Sequence, residues 1–286
     1  MPELPEVETI VRDLRPALVG RRFGPMRKST LALRSPWKRS WGRRLVGARV
    51  QSIERRGKWI IISLDSAVCL LVHLGMTGQL RVFPTSAPIA RHTHLIFDLD
   101  GRRQLRFRDV RRFGQATVIE ASSLGAFFEK AHLGPEPFHL DAAYWDQRLA
   151  ATRRSLKAVL LDQSVVAGVG NIYADEALFE ARLHPARTAC GLTAAERLCL
   201  RRVLPKVLNR AIEGRGSTIR DYVDGTGQGG GYQNEFRAYG RAGEPCVRCD
   251  RSIRRIRLAG RSTHFCPGCQ SLRPATRAGV NGESGE

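Results

Sequence analysis

The chain opens with a pattern of apolar positions that predicts an amphipathic helix. The apolar residues of this pattern are Val7, Ile10, Val11, Leu14 and Leu18. They recur at helical spacing, so they share one face of a helix over residues 5–19. Pro5 suits the first turn of such a helix, and the carboxylates of Glu6 and Glu8 complement its dipole.

From residue 48 onward the pattern changes to short apolar segments rich in Val and Ile. The predicted strands are residues 49–56, 59–64, 68–73, 79–83, 94–99, 104–108 and 116–119. Residues 65–67 (Asp-Ser-Ala) and 100–101 (Asp-Gly) predict tight turns between neighbouring strands. Strands at this spacing are typical of a β-sandwich or a flattened barrel. Residues 21–44 are basic and show no period, so we predict an irregular segment there.

The second half of the chain is predicted to be helical. Residues 132–140 contain the glycine and prolines of a linker, and helices are predicted at residues 141–151, 155–162, 171–181 and 193–213. Residues 224–233 include three consecutive glycines and predict a loop. Residues 275–286 are small and polar, which predicts disorder.

Composition narrows the class of function. A length of 286 residues favours two domains, and 42% hydrophobic residues suffice for buried cores. Arginine supplies most of the net charge of +20, an excess that is typical of proteins with a polyanionic partner. A basic protein without such a partner is the alternative. The sequence has no apolar run of membrane-spanning length and no signal peptide, so we expect a cytosolic location.

Four of the seven cysteines form two pairs, Cys246 with Cys249 and Cys266 with Cys269, separated by sixteen residues. Four thiolates at this spacing can close a tetrahedral zinc site, which is structural because no ligand position stays open. Disulfides are the alternative, and they are rare in the cytosol. The arginines between the first and the last of these cysteines are Arg248, Arg251, Arg254, Arg255, Arg257 and Arg261. A hairpin with this charge is suited to phosphate binding.

Pro2 and Glu3 form a candidate reactive pair. We expect Met1 to be removed because a small residue follows it, which leaves Pro2 with a free secondary amine. An α-amino group has a pKa of about 7.7–8.0, so much of it is neutral and nucleophilic at physiological pH. Amines attack carbonyl-like carbons to give Schiff bases, and Glu3 can act as general acid or base. The alternative is that these residues only start the helix.

Glycine-containing turns supply further candidates. Residues 168–171 (Gly-Val-Gly-Asn) precede a predicted helix, whose first amides can hold an anion and which Asn171 can cap. A plain corner between two helices is the alternative. Met76 lies on a turn after a strand, and Arg111 and Phe113 lie on another. Such side chains resemble the wedges that enter a base stack, with packing in the core as the alternative.

Five motifs occur in one order along the chain. They are PELPEVE at residues 2–8, HLGMTG at 73–78, DVRRFG at 109–114, GVGNIYADE at 168–176 and GRSTHFCPGCQ at 260–270. In these motifs the chain resembles the bacterial formamidopyrimidine-DNA glycosylases, the 8-oxoguanine repair enzymes, from residue 2 to about residue 270.

The resemblance implies an α+β fold, with an N-terminal helix plus a β-sandwich domain and a C-terminal helical domain. The second domain contains a helix–two-turns–helix motif and a zinc-finger hairpin, and DNA lies in the basic cleft between the domains. The corresponding ranges are 1–131 for the N-terminal catalytic domain, 132–140 for the linker, 141–235 for the helix–two-turns–helix domain with a lesion loop and 236–270 for the four-cysteine zinc finger. Residues 271–286, which extend beyond the resemblance, are predicted to be a disordered tail.

The resemblance also implies residue roles. Pro2 attacks C1′ of the damaged nucleotide, Glu3 shuttles protons and Glu6 supports that site. Lys58 serves in β-elimination and phosphate contact, and Arg261 grips phosphates and assists δ-elimination. The residues that match DNA-contacting positions are His73, Met76, His92, Arg111, Phe113, Arg154, Lys157, Asn171 and Tyr239. In this set the wedge residues fill the gap that the extruded base leaves, and Lys157 and residues 217–232 lie near that base.

The implied activity is that of a DNA glycosylase and abasic-site lyase, which removes oxidised purines through a Schiff base on Pro2 and cuts the strand by β,δ-elimination. The implied partner is double-stranded DNA with oxidised bases or abasic sites, and no membrane is involved. The implied cofactor is one structural Zn²⁺ per monomer, without a catalytic metal or an organic cofactor. The expected state is a monomer in the cytoplasm, associated with the nucleoid.

Two alternatives remain open. Endonuclease VIII, a relative that prefers oxidised pyrimidines, shares the opening Pro-Glu, the lysine and the zinc finger. Leu4, Val7 and the division of the wedges between two loops favour the formamidopyrimidine enzymes. The other alternative is a non-catalytic binder of damaged DNA, against which the intact set of catalytic residues argues.

Overall fold

The computed structural model of the protein describes residues 2–31, 33–219 and 221–272. The helices in these ranges are Leu4–Leu18 (α1), Arg39–Leu45 (α2), Leu124–Lys130 (α3), Ala142–Ala150 (α4), Leu156–Leu161 (α5), Asn171–Glu180 (α6) and Ala194–Glu213 (α7). The strands are Phe23–Lys28 (β1), Val50–Arg56 (β2), Trp59–Leu64 (β3), Val68–His73 (β4), Gly78–Pro84 (β5), Thr93–Leu99 (β6), Arg103–Asp109 (β7), Gln115–Glu120 (β8), Arg254–Leu258 (β9) and Arg261–Phe265 (β10). None of the described helices combines the length and apolar character needed to cross a bilayer.

Two four-stranded antiparallel sheets form the N-terminal sandwich. Their strand orders are β1-β6-β7-β5 and β2-β3-β4-β8. Strand β4 pairs with β8 from Val68 opposite Glu120 to His73 opposite Gln115. The turn after β4 and the loop before β8 therefore meet at one end of the sandwich, and these are the two segments with the predicted wedge residues.

Helix α1 connects the two cores of the molecule. Its apolar face, predicted from the spacing, is buried in the core between the sheets. Leu4, at the first turn, is instead buried in the core of the helical half. In return, Tyr222 from the second half packs into the sandwich core. The domain limits given above remain predictions, and the two cores exchange residues across them.

The segment predicted to be irregular contains a strand and a helix. The described part of residues 21–44 includes β1, which pairs with β6, and the start of α2. The prediction was wrong because Gly24, Pro25 and the charges of β1 hide any alternation. Pro25 is tolerated because β1 lies at the edge of its sheet. The seven-residue helix α3 also went unpredicted.

Helices α4 to α7 enclose a second core. Its largest fully buried side chains are Trp145 and Tyr173. Residues 132–140, predicted to be a linker, include a 3₁₀ turn at Pro137–His139. Strands β9 and β10 pair as the predicted hairpin between the cysteine pairs. The predicted tail lies, from residue 273 onward, outside the described residues.

Candidate active site

A cavity of about 640 Å³ lies where the sandwich, the helical half and the β9–β10 hairpin meet. The predicted site residues that line it are Glu3, Lys58, Met76, Arg111, Arg154, Asn171, Tyr239 and Arg261. Each comes from a different part of the chain, so the cavity unites the candidates from both halves. Pro2 is buried and directly precedes Glu3, so its Cα lies about 3.8 Å from that of a lining residue.

The carboxylate of Glu3 lies at the N-terminus of helix α6. It accepts hydrogen bonds from the backbone N–H groups of Ile172 and Tyr173, at 3.0 and 3.4 Å. The glycine turn before α6 makes room for it, because a Cβ on Gly170 would lie 2.3 Å from the carboxylate carbon. The sequence suggested that these amides hold an anion, and the anion they hold is the side chain of Glu3. Asn171 follows the N-cap residue, Gly170, rather than capping the helix itself.

Glu6 is buried behind Glu3 and accepts three hydrogen bonds. The donors are the backbone N–H of Glu3 at 2.8 Å, the hydroxyl of Tyr173 at 2.5 Å and the backbone N–H of Ser217 at 2.8 Å. Burial, with the charge of Glu3 as a second cause, raises the pKa of Glu6 to about 7. Glu6 therefore fixes the backbone of Glu3 and joins α1 to the segment after α7.

Lys58 occupies a two-residue turn between β2 and β3, after Gly57. Gly57 has a φ of +57°, which suits glycine at the first position of such a turn. The ammonium Nζ of Lys58 reaches across to the helical half and donates to the carbonyl of Val169 at 3.0 Å. Burial lowers the pKa of Lys58, the charges of Glu3 and Glu6 oppose this, and Arg261 adds to it. A lysine in these surroundings can exchange a proton more readily than an exposed one.

The two wedge loops are tied together by Asp109. Its carboxylate accepts from the hydroxyl of Thr77 at 2.5 Å and from the N–H of Gly114 at 2.7 Å. The same hydroxyl accepts from the N–H of Arg111 at 3.0 Å. A Cβ on Gly75 would lie 2.6 Å from the Gly114 nitrogen, so the loops touch at glycines.

Phe113 is 44% exposed, with the guanidinium of Arg111 4.7 Å from its ring centre. Met76 is half-buried and lines the cavity. Arg111 and Phe113 also line an adjoining groove of about 510 Å³ with Leu33, Arg34 and Arg112. The exposure of Phe113 does not match a residue that packs the sandwich core.

Two predicted DNA-contacting histidines lie outside the cavity lining. His73 is half-buried against Trp59, and its Nδ1 accepts from the N–H of Gly75 at 3.1 Å. Burial, assisted by the charges of Lys58 and Arg34, lowers the pKa of His73 to about 4. His92 is exposed, with a φ of +65°.

Lys157 is the predicted DNA-contacting residue that the structure places in the interior. Its ammonium is fully buried and lies 2.6 Å from a carboxylate oxygen of Asp175 and 2.7 Å from the carbonyl of Asn171. The second oxygen of Asp175 accepts from the N–H of His264 at 2.9 Å. The fully buried Lys157 thus fixes Asn171 directly and, through Asp175, the hairpin at His264.

Three residues of the site, Gln163, Tyr173 and Ser217, were not among the predicted site residues. Gln163 donates to the carbonyl of Val169 and accepts from the N–H of Gly168, so it holds the turn that receives Glu3. Tyr173 and Ser217 bind Glu6. Spacing could not reveal Tyr173 and Ser217, because Glu6 is more than a hundred residues away from both.

The four predicted zinc ligands converge. The Sγ atoms of Cys246, Cys249, Cys266 and Cys269 all lie within 4.8 Å of one another. Zinc–sulfur bonds of about 2.3 Å in a tetrahedron put sulfurs about 3.8 Å apart, and the Cys246–Cys269 separation is 3.9 Å. The N–H groups of Arg248 and Cys269 donate to two of the sulfurs. The residues therefore fit a structural zinc.

The hairpin between these cysteines brings Arg261 to the cavity. Arg261 is exposed at the start of β10. The side-chain amide of Asn171 donates to the carbonyl of Ser262 at 3.0 Å, which joins the hairpin to α6. Arg154 also lines the cavity, with its guanidinium 2.7 Å from the carboxylate of Asp162.

Family models and curated relatives agree on what the chain is similar to. The models are the formamidopyrimidine-DNA glycosylase N-terminal domain at residues 1–116, the formamidopyrimidine-DNA glycosylase H2TH domain at 133–223 and the zinc finger found in FPG and IleRS at 243–272. The formamidopyrimidine-DNA glycosylase of Herpetosiphon aurantiacus is 45% identical, with 95% of this chain and 100% of that protein covered. The enzyme of the same name from Desulforamulus reducens is 42% identical, with 96% and 100% covered.

Solved structures give the same picture. A variant of Lactococcus lactis FPG in complex with a Fapy-dG containing DNA is 36% identical, with a TM-score of 0.89 and 94% of this chain and 100% of that chain covered. A complex between Lactococcus lactis Fpg and an abasic site containing DNA is 36% identical, with a TM-score of 0.88 and 94% and 99% covered. The similarity therefore spans both halves and the zinc finger.

Proposed function

The chain belongs to the formamidopyrimidine-DNA glycosylase family and is a base-excision repair DNA glycosylase, and we propose that it removes oxidised purines and then cuts the strand at the abasic site. The observation that carries the proposal is the convergence of Glu3, Lys58 and Arg261 on one cavity beside Pro2. The reaction needs a nucleophile, for which Pro2 is suited, and a proton carrier, for which Glu3 is suited. It also needs a second amine for the elimination, Lys58, and a group that binds phosphate, Arg261.

The first step is nucleophilic attack by the amine of Pro2 on C1′ of the damaged nucleotide. A bond forms between the Pro2 nitrogen and C1′, and the glycosidic bond breaks with its electrons leaving on the base, which takes up a proton. The Pro2 nitrogen then loses its proton and the C1′–O4′ bond breaks, with a proton delivered to O4′, so the sugar ring opens and C1′ becomes the iminium carbon of a Schiff base. Glu3 is suited to carry protons in this step, because its carboxylate lines the cavity and is oriented by helix α6. Glu6 supports it by holding the N–H of Glu3.

The second step is elimination from the Schiff base. The iminium on Pro2 acidifies the adjacent C2′, so loss of that proton breaks the 3′ carbon–oxygen bond, and a further elimination breaks the 5′ bond. Lys58 is suited to the proton transfer because burial lowers its pKa. Arg261 is suited to gripping the phosphates that leave.

Access to C1′ requires that the base leave the stack, at a cost of a few kcal/mol. We assign Met76 and Phe113 to the vacated space and Arg111 to the orphaned partner base. We assign His73, His92, Arg154, Asn171 and Tyr239 to DNA contacts. We assign the buried Lys157 to holding Asn171 in place, because its ammonium donates to the carbonyl of Asn171. The net charge of +20 supports DNA as the partner. We further propose that the protein acts as a monomer at the nucleoid.

A bound zinc ion would stabilise the folded hairpin. Its four ligands would be Cys246, Cys249, Cys266 and Cys269, which leave no coordination position open, and each monomer would hold one ion. The chain's own contribution is the arginine side chain of Arg261, which the closed hairpin brings to the cavity.

Borohydride trapping on a lesion panel tests the proposal. Retaining Met1, or adding a residue ahead of Pro2, converts the amine to an amide, which should abolish both base release and the trapped covalent adduct. Glu3→Gln should block base release and leave DNA binding largely intact.

An adduct from the blocked protein would overturn the role of Pro2. If the protein with a free Pro2 amine binds DNA and never forms an adduct, the result would favour a non-catalytic binder of damaged DNA. Excision confined to oxidised pyrimidines would favour an activity like that of endonuclease VIII.

A further inference from the structure

The segment after helix α7 forms one wall of the cavity. We call residues 216–219 and 221–231 the glycine-rich loop; Ser217, Ile219, Asp221 and Tyr222 line the cavity. The wall is contributed by the second half of the chain and faces the turn with Met76. Its position relative to α1 therefore sets the shape of the space that a base can enter.

An ion triad fixes the start of this loop to helix α1. The guanidinium of Arg215 lies 2.7 Å from a carboxylate oxygen of Asp13 in α1 and 2.6 Å from one of Asp224 in the loop. A second nitrogen of Arg215, Nε, donates to the same Asp224 oxygen at 3.0 Å. Asp13 also accepts from the N–H of Gly225 at 3.0 Å. We call Asp13, Arg215 and Asp224 the latch.

Asp224 connects the latch to the backbone of the loop. It is fully buried, and its other oxygen accepts from the N–H groups of Thr226, Gly227 and Gln228 at 2.8 to 2.9 Å. A Cβ on Gly225 would lie 2.5 Å from the Cβ of Asp13, so the loop rests directly on α1. A shift of the latch would thus move the whole far side of the loop.

Arg215 occupies a position that favours glycine. It follows the end of α7 with a φ of +59°, the left-handed region in which helices usually place glycine. A non-glycine residue in this region is strained and persists where its surroundings require it. The surroundings here are two carboxylates from separate elements, which only a long cationic side chain can bridge.

We propose that the latch positions the glycine-rich loop against the extruded base and so sets the rate of oxidised-purine excision relative to the rate of abasic-site cleavage, an inference that rests on the function proposed above. A damaged base must fit against the loop before C1′ is attacked. An abasic site has no base to seat, so its cleavage depends on Pro2, Glu3 and Lys58 and needs the loop only at Ser217, whose N–H binds Glu6. Asp13, Arg215 and Asp224 are positioning residues in this sense.

Arg215→Gly is the decisive variant, because it removes the ion pairs and relieves the backbone strain. Arg182→Gly is its matched control. Arg182 also follows a helix with a φ of +57°, is exposed and forms no ion pair with a described residue. Both variants lose one positive charge. Excision and abasic-site cleavage are measured for both under single-turnover conditions, with hydrogen exchange of the Gly227 and Gln228 amides as a readout independent of activity.

The expected result is that Arg215→Gly lowers the excision rate by about tenfold to a hundredfold, leaves abasic-site cleavage unchanged and speeds exchange at Gly227 and Gln228. Asp13→Asn should reproduce all three effects, and Arg182→Gly should show none. An unchanged ratio of the two rates, or equal losses on both substrates, overturns the inference. A wild-type protein that processes neither substrate, with slow exchange at the loop amides, would instead count against the proposed function.

Discussion

Glu3 and Glu6 are one helical turn apart and have different surroundings. Glu3 faces the cavity and binds the positive end of helix α6. Glu6 is enclosed, and burial raises its pKa to about 7. The helix therefore gives two neighbouring carboxylates different environments: Glu3 accepts from the backbone amides of α6 at the cavity, and Glu6 is enclosed between α1, Tyr173 and Ser217.

The raised pKa of Glu6 predicts a pH-dependent stability. From pH 4.5 to about 7 the folded protein retains a proton on Glu6 that the unfolded chain has released, so stability falls as pH rises through this window. The loss attributable to Glu6 should reach about 3 kcal/mol. The free energy of unfolding in urea, measured at pH 5 and pH 8, should show this loss in the wild-type protein and lack it in Glu6→Gln. The control Glu129→Gln, at an exposed position, should show the same loss as the wild type.

Phe113 offers a test of the wedge assignment. Phe113→Ala should slow base excision from a duplex by roughly tenfold with little change in nonspecific affinity, because phosphate contacts supply that affinity. The defect should shrink on an abasic site, where no base has to be unstacked. Arg111→Ala should in addition weaken discrimination by the base opposite the lesion. If Phe113 merely packs the sandwich, its loss will lower the melting temperature and harm both reactions equally.

At the scale of elements, short turns carry the candidate site residues, and longer elements hold these turns in place. The Gly57–Lys58 turn brings an amine to the cavity, and the turn before α6 brings two amides to Glu3. The β9–β10 hairpin brings Arg261. Each turn is small, so its position depends on a rigid support: the sheet, the buried helix α6 or the cysteine cluster.

The zinc site should therefore control DNA binding through the hairpin. Structural zinc contributes about 10 kcal/mol or more to the folding of small modules. Cys246→Ala should lose the metal equivalent and much of the DNA affinity, whereas Cys190→Ala, an exposed cysteine outside the cluster, should retain both. Elemental analysis that finds a full equivalent of zinc in Cys246→Ala would contradict the site.

At the scale of the whole molecule, a charged network clamps the two halves together beside Lys58. Glu136, in the segment between the cores, accepts from the N–H of Gly57 at 2.6 Å and pairs with Arg55 at 2.7 Å. Arg55 is mostly buried and also pairs with Glu8 of α1 at 3.0 Å. The clamp thus links α1, the Lys58 turn and the segment between the cores.

Glu136→Ala should weaken this clamp. It leaves the buried guanidinium of Arg55 with one carboxylate, Glu8, and the carbonyl of Gly57, and it leaves the Gly57 N–H with no partner among the described residues. This should cost about 2 kcal/mol. Differential scanning calorimetry should show a lower melting temperature, and abasic-site cleavage should fall because Lys58 is less well held. Glu129→Ala, nearby and exposed, should change neither.

Local patterns in the sequence determined most of the elements. The seven strands predicted between residues 49 and 119 are confirmed to within one or two residues at each end, and so are the five helices, because each pattern depends on its own side chains. The cysteine spacing likewise predicted a cluster that the fold brings together. Strand β1 was missed because its residues lack alternation and its hydrogen bonds come from β6.

Only the tertiary structure decided which residues of different elements contact one another. A spacing pattern reveals which face of a helix is apolar, and it is silent about which charge lies opposite. The Glu3 carboxylate at the start of α6, the interior position of Lys157 and the latch of Asp13, Arg215 and Asp224 all join residues far apart in the chain. Their energies come from burial and from short distances between charges, and both quantities exist only once the chain has folded.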